Sequence, residues 1–276
     1  MATFGIGVVA ASLSAGEPAS TVRAAVRVGA AGVQIPARPP AGLSNRQWAD
    51  TWLAAVEGTS VRIFSGMTGF AHEDYHTLEA IRRTGGLVPD EFAEAAVASV
   101  IAAAELTRRV GVDLLTLHAG FIPDSQDDPT YPKLLDRIGR IADAAAGLGV
   151  RVGLESGQES APTLKRFINH LARPNIGCNF DPANMILYGR QEPVEAVDIL
   201  KDHIFQVHGK DALWSQEPKV TWGKEVPLGD GDVDWPRFAA KLVDAGFAGN
   251  IVIEREVGPD PQADVAQAVA RLHRMG

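Results

Sequence analysis

Five apolar runs in the second half of the chain end in side chains that can ligate a metal or move a proton. His118 follows Leu114-Leu115-Thr116-Leu117, Glu155 follows Val152-Gly153-Leu154, and Asp181 follows Asn179-Phe180. Gln206-Val207-His208-Gly209-Lys210-Asp211 forms the fourth run, and Glu254-Arg255-Glu256 closes the fifth after Ile253. Taken singly, such a histidine is more often a hydrogen-bonded structural residue, and such a glutamate is often only solvated. Five in succession call for a common cause. On adjacent strands about 4.8 Å apart, Glu155, Asp181 and Glu254 would converge with His208. Three carboxylates in a partly dry mouth repel, and their pKa values rise unless a cation compensates. The set is therefore a candidate shell for one divalent ion with open positions. Its oxygen-rich donors favour Mn²⁺, with Mg²⁺ next, and the single imidazole also suits Co²⁺ or Zn²⁺.

The elements that must position these residues repeat as a short β-rich run followed by a longer helical stretch, the pattern of βαβ units on a parallel sheet. Eight such runs occur, at 4–11, 32–36, 61–65, 114–119, 150–156, 176–181, 204–210 and 250–254. Helices are expected over 17–29, 89–110, 134–148 and 163–172. Another follows the N-cap Asp234 and its Trp235-Pro236 first turn and stops near Gly246. Gly29, Gly111, Gly149 and Gly246 stand where helix C-caps need positive φ. Residues 65–87 read as an enlarged loop. Together these predict an α/β chain folded as a (β/α)₈ TIM barrel, in one domain over residues 1–276, with catalytic groups at the C-terminal strand ends. An open doubly wound sheet would place a Gly-rich phosphate loop after its first strand. The Gly5-Ile6-Gly7-Val8-Val9-Ala10 string lies inside the first run instead.

Apolar residues make up 46% and charged residues 22% of the chain, a globular balance. A net charge of -8 and the lack of a Lys/Arg-rich run disfavour nucleic acid. The apolar stretch 4–13 precedes small residues as in a signal peptide, but no Lys or Arg occurs before Arg23. No membrane segment is indicated. A single cysteine, Cys178, can make no intrachain disulfide, and a cytoplasmic location is expected. The acidic string Asp230-Gly231-Asp232-Val233-Asp234 lacks the glycine and terminal glutamate of a calcium loop.

The motifs LLTLHAG, VGLES, NFDPAN, FQVHGKD, LGDGDVDW and IVIERE together resemble the sugar phosphate isomerase/epimerase family of the xylose-isomerase-like barrels, over essentially the whole chain. The resemblance implies a metal held by Glu155, Asp181, His208 and Glu254, the four residues that the charge argument selects. It further implies that Glu155 and Glu254 act as the acid/base pair on a small-molecule carbohydrate, a ketose or keto-sugar converted through an enediolate. Candidates for substrate oxygens are then His118, Lys210 and Arg255, with the neutral Asn184 and Gln206 for substrate hydroxyls or for the ligands themselves, although Lys210 and Asp211 could instead pair with each other and Arg255 point outward by strand parity. Trp214 and Trp222 are candidates to cover a sugar ring. Two positions depart from the ketose 3-epimerases of this group. Asn184 stands where they carry a histidine, and Glu159 matches their further glutamate only loosely. Endonuclease IV shares the barrel but has a DRH motif that is missing here. A metal-dependent lyase, eliminating water or an aglycone, and a non-catalytic sugar-binding subunit are the alternatives. Barrels of this group commonly pair, so a homo-oligomer is compatible. The three aspartates at 230, 232 and 234 would oppose a phosphate dianion, so an unphosphorylated substrate is expected.

Overall fold

The computed structural model describes residues 4–13 and 17–275. Eight parallel strands close into a barrel: β1 Gly5–Val9, β2 Gly32–Pro36, β3 Arg62–Thr68, β4 Leu114–Leu117, β5 Arg151–Glu155, β6 Ile176–Phe180, β7 Ile204–Gly209 and β10 Asn250–Ile253. The two short strands β8 Asp211–Leu213 and β9 Lys224–Val226 form an antiparallel hairpin after β7. Closure comes from β1, which pairs with β2 on one side and β10 on the other. The ring removes both sheet edges.

Helices α1 Pro18–Val28, α2 Asn45–Val56, α3 Leu78–Thr84, α4 Ala93–Arg109, α5 Thr130–Gly147, α6 Ala161–Leu171, α7 Pro182–Leu187, α8 Pro193–Leu200, α9 Trp235–Asp244 and α10 Pro261–His273 fill the crossovers. Their sequences state which face turns inward. In α6 the buried residues Ala161, Leu164, Phe167, Ile168 and Leu171 recur at three- and four-residue steps, and α9 buries Trp235, Phe238, Ala239 and Leu242 likewise. Each large apolar side chain so buried contributes roughly 1.5–3 kcal/mol. Side-chain caps fix the starts: Ser160 accepts from the Thr163 amide and Asp234 from the Arg237 amide. The four expected cap glycines, Gly29, Gly111, Gly149 and Gly246, all adopt positive φ, between 69° and 86°.

Three expectations change. The third run extends to Thr68, because Gly66, Met67 and Thr68 pair with Leu115, Thr116 and Leu117 of β4. The presumed loop 65–87 therefore begins later, and it contains α3. With seven residues and only Leu78, Ala80 and Ile81 buried, α3 is too short for a periodic signal. The first run is shorter than read: after Val9 the chain turns into a 3₁₀ segment, Ala10–Leu13. Gly7 and Gly32 have a packing role at the other end of the barrel. A Cβ on Gly7 would stand 2.7 Å from the Phe64 ring, and one on Gly32 2.4 Å. Glycine there makes room for an aromatic plug rather than for a phosphate.

Candidate metal centre and active site

Glu155 is the last residue of β5, Asp181 follows β6, His208 lies within β7 and Glu254 follows β10. One ligand atom from each lies within 4.8 Å of all the others, and all four residues are buried. The pivot is His208 Nδ1, 3.4 Å from Glu155 Oε1, 3.4 Å from Glu254 Oε2 and 3.7 Å from Asp181 Oδ2. Both His208 Nδ1 and Asp181 Oδ2 are buried without a hydrogen-bond partner. Orphaned buried polar atoms destabilise by about 1–3 kcal/mol each. Two that face one another among three carboxylates fit a shared cation, so the residues present match the divalent ion expected from their chemistry.

Electrostatics carry the same signature. Burial raises the pKa of Asp181 above the usual carboxylate range. At Glu155 burial acts in the same direction, but His118 and His208 outweigh it and the pKa falls. At Glu254 the opposing charges are Lys210 and His208, again with a net lowering. His208 itself, against its burial, is held well above the ordinary imidazole value by Glu155 and Glu254. Two of the three carboxylates are thus held below their usual range by Lys210, His118 and His208, while Asp181 is not.

Flanking residues divide into those that join the cluster and those that do not. His118 Nε2 is 3.3 Å from Glu155 Oε1, and its Nδ1 is buried and unpartnered. Asn184 Nδ2 donates to Glu155 Oε1 at 3.0 Å, and its backbone amide donates to Asp181 Oδ1 at 2.8 Å, so one residue sets two candidate ligands. Its backbone is pressed by Gly157, at φ 126°, whose added Cβ would lie 2.7 Å from the Asn184 carbonyl carbon. Lys210 Nζ donates to Glu254 Oε2 at 2.9 Å and also to Glu256. It makes no pair with Asp211, which accepts the amides of Ala212, Gly229 and Val233 and so holds the acidic loop in place. Arg255 is engaged elsewhere: Nη1 donates to Glu225 at 2.7 Å and Nε to Asp264 at 2.8 Å. Trp222 packs against Tyr188 with the rings tilted by 59° and their centroids 4.8 Å apart, in a small apolar cluster with Leu78, Ile81 and Phe121, and Trp214 packs on the main core. Cys178 is fully buried, and burial raises its thiol pKa.

Inside the barrel Gln206 joins three polar residues that escape a reading based on strand ends, Gln34, Ser65 and Asn179, each of the four at most 1% exposed and hydrogen-bonded to one another. The signal for them is parity. Asn179 and Gln206 each precede a candidate ligand by two residues, hence share its face of the sheet. A cavity of about 350 Å³ opens at the ends of β1, β2 and β3, lined by Val9, Gln34, Ile35, Trp48, Met67 and Thr68 among others. Gln34 ties it to the cluster, its Oε1 lying 2.9 Å from His208 Nε2.

The sequence matches the family model described as "Xylose isomerase-like TIM barrel" over residues 22–275. The chain belongs to this family. Its structure is similar to that of a xylose isomerase domain protein from Planctomyces limnophilus, with 34% identity, TM-score 0.88, and 99% of this chain and 95% of that one covered. It is also similar to a xylose isomerase-like TIM barrel protein from Mycobacterium smegmatis in complex with magnesium, at 15% identity, TM-score 0.74 and coverage of 99% and 96%. The 3-keto-D-glucoside 4-epimerase from E. coli matches at 15% identity, TM-score 0.73 and coverage of 99% and 100%. No curated protein matches the sequence.

Glu159, the loose match to a further family glutamate, is buried with Oε1 unpartnered, and burial pushes its carboxyl up to about 8. Folding thus keeps Glu159 protonated where the unfolded chain ionises it. Below about pH 4 both states are protonated and nothing is lost. As pH rises towards 8 the folded state is progressively disfavoured. Glu159→Gln is expected to be more stable than wild type by a margin that grows from pH 5 to 8, on the order of 3 kcal/mol at pH 7. Denaturant titrations across that range check it. A margin that does not change with pH would contradict it.

Proposed function

We propose that this barrel is a divalent-metal-dependent isomerase or epimerase acting on a ketose or keto-sugar through an enediolate. The observation that carries the reading is the convergence of Glu155, Asp181, His208 and Glu254 with two unpartnered ligand atoms. A divalent ion held there supplies Lewis acidity, polarising a substrate carbonyl and acidifying the neighbouring C–H bond. Mn²⁺ suits three carboxylate oxygens and one imidazole, and Mg²⁺ is next, as in the Mycobacterium smegmatis protein.

Glu155 and Glu254 are the proton carriers. They reach the centre from β5 and from the end of β10, on either side of His208. One removes the proton at the carbon next to the carbonyl, and the other, first loaded with a proton from the cation beside it, returns one to the intermediate. Lys210 beside Glu254 and His118 beside Glu155 keep both carboxylates ionised before proton transfer and lie where substrate oxygens can be met. Asn184 holds Glu155 by one hydrogen bond and offers a neutral donor. Arg255, already bound by two carboxylates, ties β9 to α10 through Glu225 and Asp264. The substrate lacks phosphate. Asp230, Asp232 and Asp234 occupy the loop before α9, and the E. coli relative acts, by its name, on a 3-keto-glucoside.

The test is a panel of free and phosphorylated keto-sugars in D₂O with added Mn²⁺. Deuterium at the carbon next to the carbonyl, together with a new stereoisomer or aldose, is expected for a free sugar. An α,β-unsaturated product would assign the chain to elimination instead. Binding without deuterium uptake would contradict the catalytic reading, and a higher kcat/KM for a sugar phosphate would contradict the unphosphorylated substrate.

A further inference from the structure

Beneath the four candidate ligands the buried polar side chains form a directed chain of hydrogen bonds. An ionised Glu155 only accepts. Asn179 Nδ2 donates to its Oε2 at 3.2 Å, so the other end of that amide, Oδ1, must accept, and it does so from Gln206 Nε2 at 3.1 Å. Gln206 Oε1 then accepts from the Ser65 hydroxyl at 2.7 Å. Having given its one proton, Ser65 Oγ accepts from Gln34 Nε2 at 3.0 Å, whose second hydrogen goes to Thr116 Oγ1 at 2.9 Å. That leaves Gln34 Oε1, an acceptor, 2.9 Å from His208 Nε2.

We infer that Gln34, Ser65, Gln206 and Asn179 are positioning residues: their one-way circuit transmits the polarity of the Glu155 carboxylate to His208, places a proton on Nε2, and aims the Nδ1 lone pair at the metal position. The reverse polarity would set the Asn179 carbonyl oxygen 3.2 Å from the Glu155 carboxylate and the Gln34 amide hydrogens against Nε2. Asn179 Nδ2 also approaches Nε2 at 3.1 Å, a contact that bonds only to a bare nitrogen. The circuit ranks the Gln34 bond above it. Burial makes the choice consequential, because Gln34, Ser65, Asn179 and His208 have no exposed surface and Gln206 only 1%, so water cannot replace a lost partner.

The inference rests on the metal reading of the four ligands, and its test separates the two. In Zn²⁺-loaded protein carrying ¹⁵N-histidine, long-range ¹H–¹⁵N spectra are expected to show His208 Nε2 protonated. A bare Nε2 would overturn the circuit. Ser65 hydrogen-bonds to Gln34 and Gln206 and to none of the four ligands, so Ser65→Ala discriminates a positioning role from simple packing. It is expected to weaken Mn²⁺ binding about tenfold or more by calorimetry. Gln34→Met, of similar size but without the acceptor, should weaken it further and speed exchange of the Nε2 proton. Mn²⁺ affinity unchanged in both variants would overturn the circuit alone, whereas a wild type that binds no Mn²⁺ would overturn the metal reading and the circuit with it.

Discussion

Glu155→Gln and Glu254→Gln are each expected to lower turnover by a factor on the order of 10² or more while leaving metal content only modestly reduced. Glutamine keeps the size and one ligating oxygen of glutamate and removes the basicity. The two variants should differ, because their surroundings differ. Glu254 pairs with the Lys210 ammonium, whereas Glu155 is held by the neutral amides of Asn179 and Asn184 and lies beside His118. If one glutamate removes the substrate proton and the other returns it, the variant lacking the returning acid exchanges substrate hydrogen with D₂O yet forms little product. Measuring exchange and product formation on the same samples checks this. Near-normal turnover in both variants, with metal retained, would refute the two-glutamate scheme and leave His118 or Lys210 as the base.

Lys210→Met is the second large effect. The ammonium is 3% exposed and its pKa is raised well above the usual lysine value by Glu254, Glu256, Asp181 and Glu225, against the opposing effect of burial. Removing one partner of a buried pair strands the other, which destabilises by about 3–5 kcal/mol. The metal-free variant should therefore unfold at markedly lower denaturant than wild type. A cation that binds only the folded state stabilises by mass action, and the unshielded Glu254 attracts it more strongly. Mn²⁺ affinity should rise in Lys210→Met, and the stability gap should narrow in saturating Mn²⁺. Unfolding titrations with and without chelator check both. An equal gap in the two conditions would mean that Lys210 and the ion do not share the Glu254 carboxylate.

The barrel was legible because its strands are separated by amphipathic helices with clear caps, and the clustering of Glu155, Asp181, His208 and Glu254 because four strand-end residues share one chemistry. What stayed hidden has a physical cause in each case. Short elements such as α3 and the β8–β9 hairpin carry too few residues to show a period. Arg255 and Lys210 look alike as cations next to Glu254, but their partners Glu225 and Asp264 come from β9 and α10, and pairings over such separations leave no local signal. Glu225, in a three-residue strand, was not foreseen at all. Of the polar floor only Gln206 was read from the sequence, for a related reason: Gln34, Ser65 and Asn179 are neutral residues within strands, where an apolar side chain is the ordinary occupant.

The central claim is that Glu155, Asp181, His208 and Glu254 together hold one divalent ion. Metal analysis of wild type after equilibration with Mn²⁺ and removal of the free ion, beside Asp181→Ala and Asp181→Asn, tests it most directly. Asparagine keeps the N-cap bond to the Asn184 amide that starts α7, so it separates loss of the ligand from loss of the cap. The account predicts one Mn²⁺ per wild-type chain and little or none in either variant. Equal, stoichiometric metal in all three proteins would contradict Asp181 as a ligand, and no metal in wild type would contradict the centre itself.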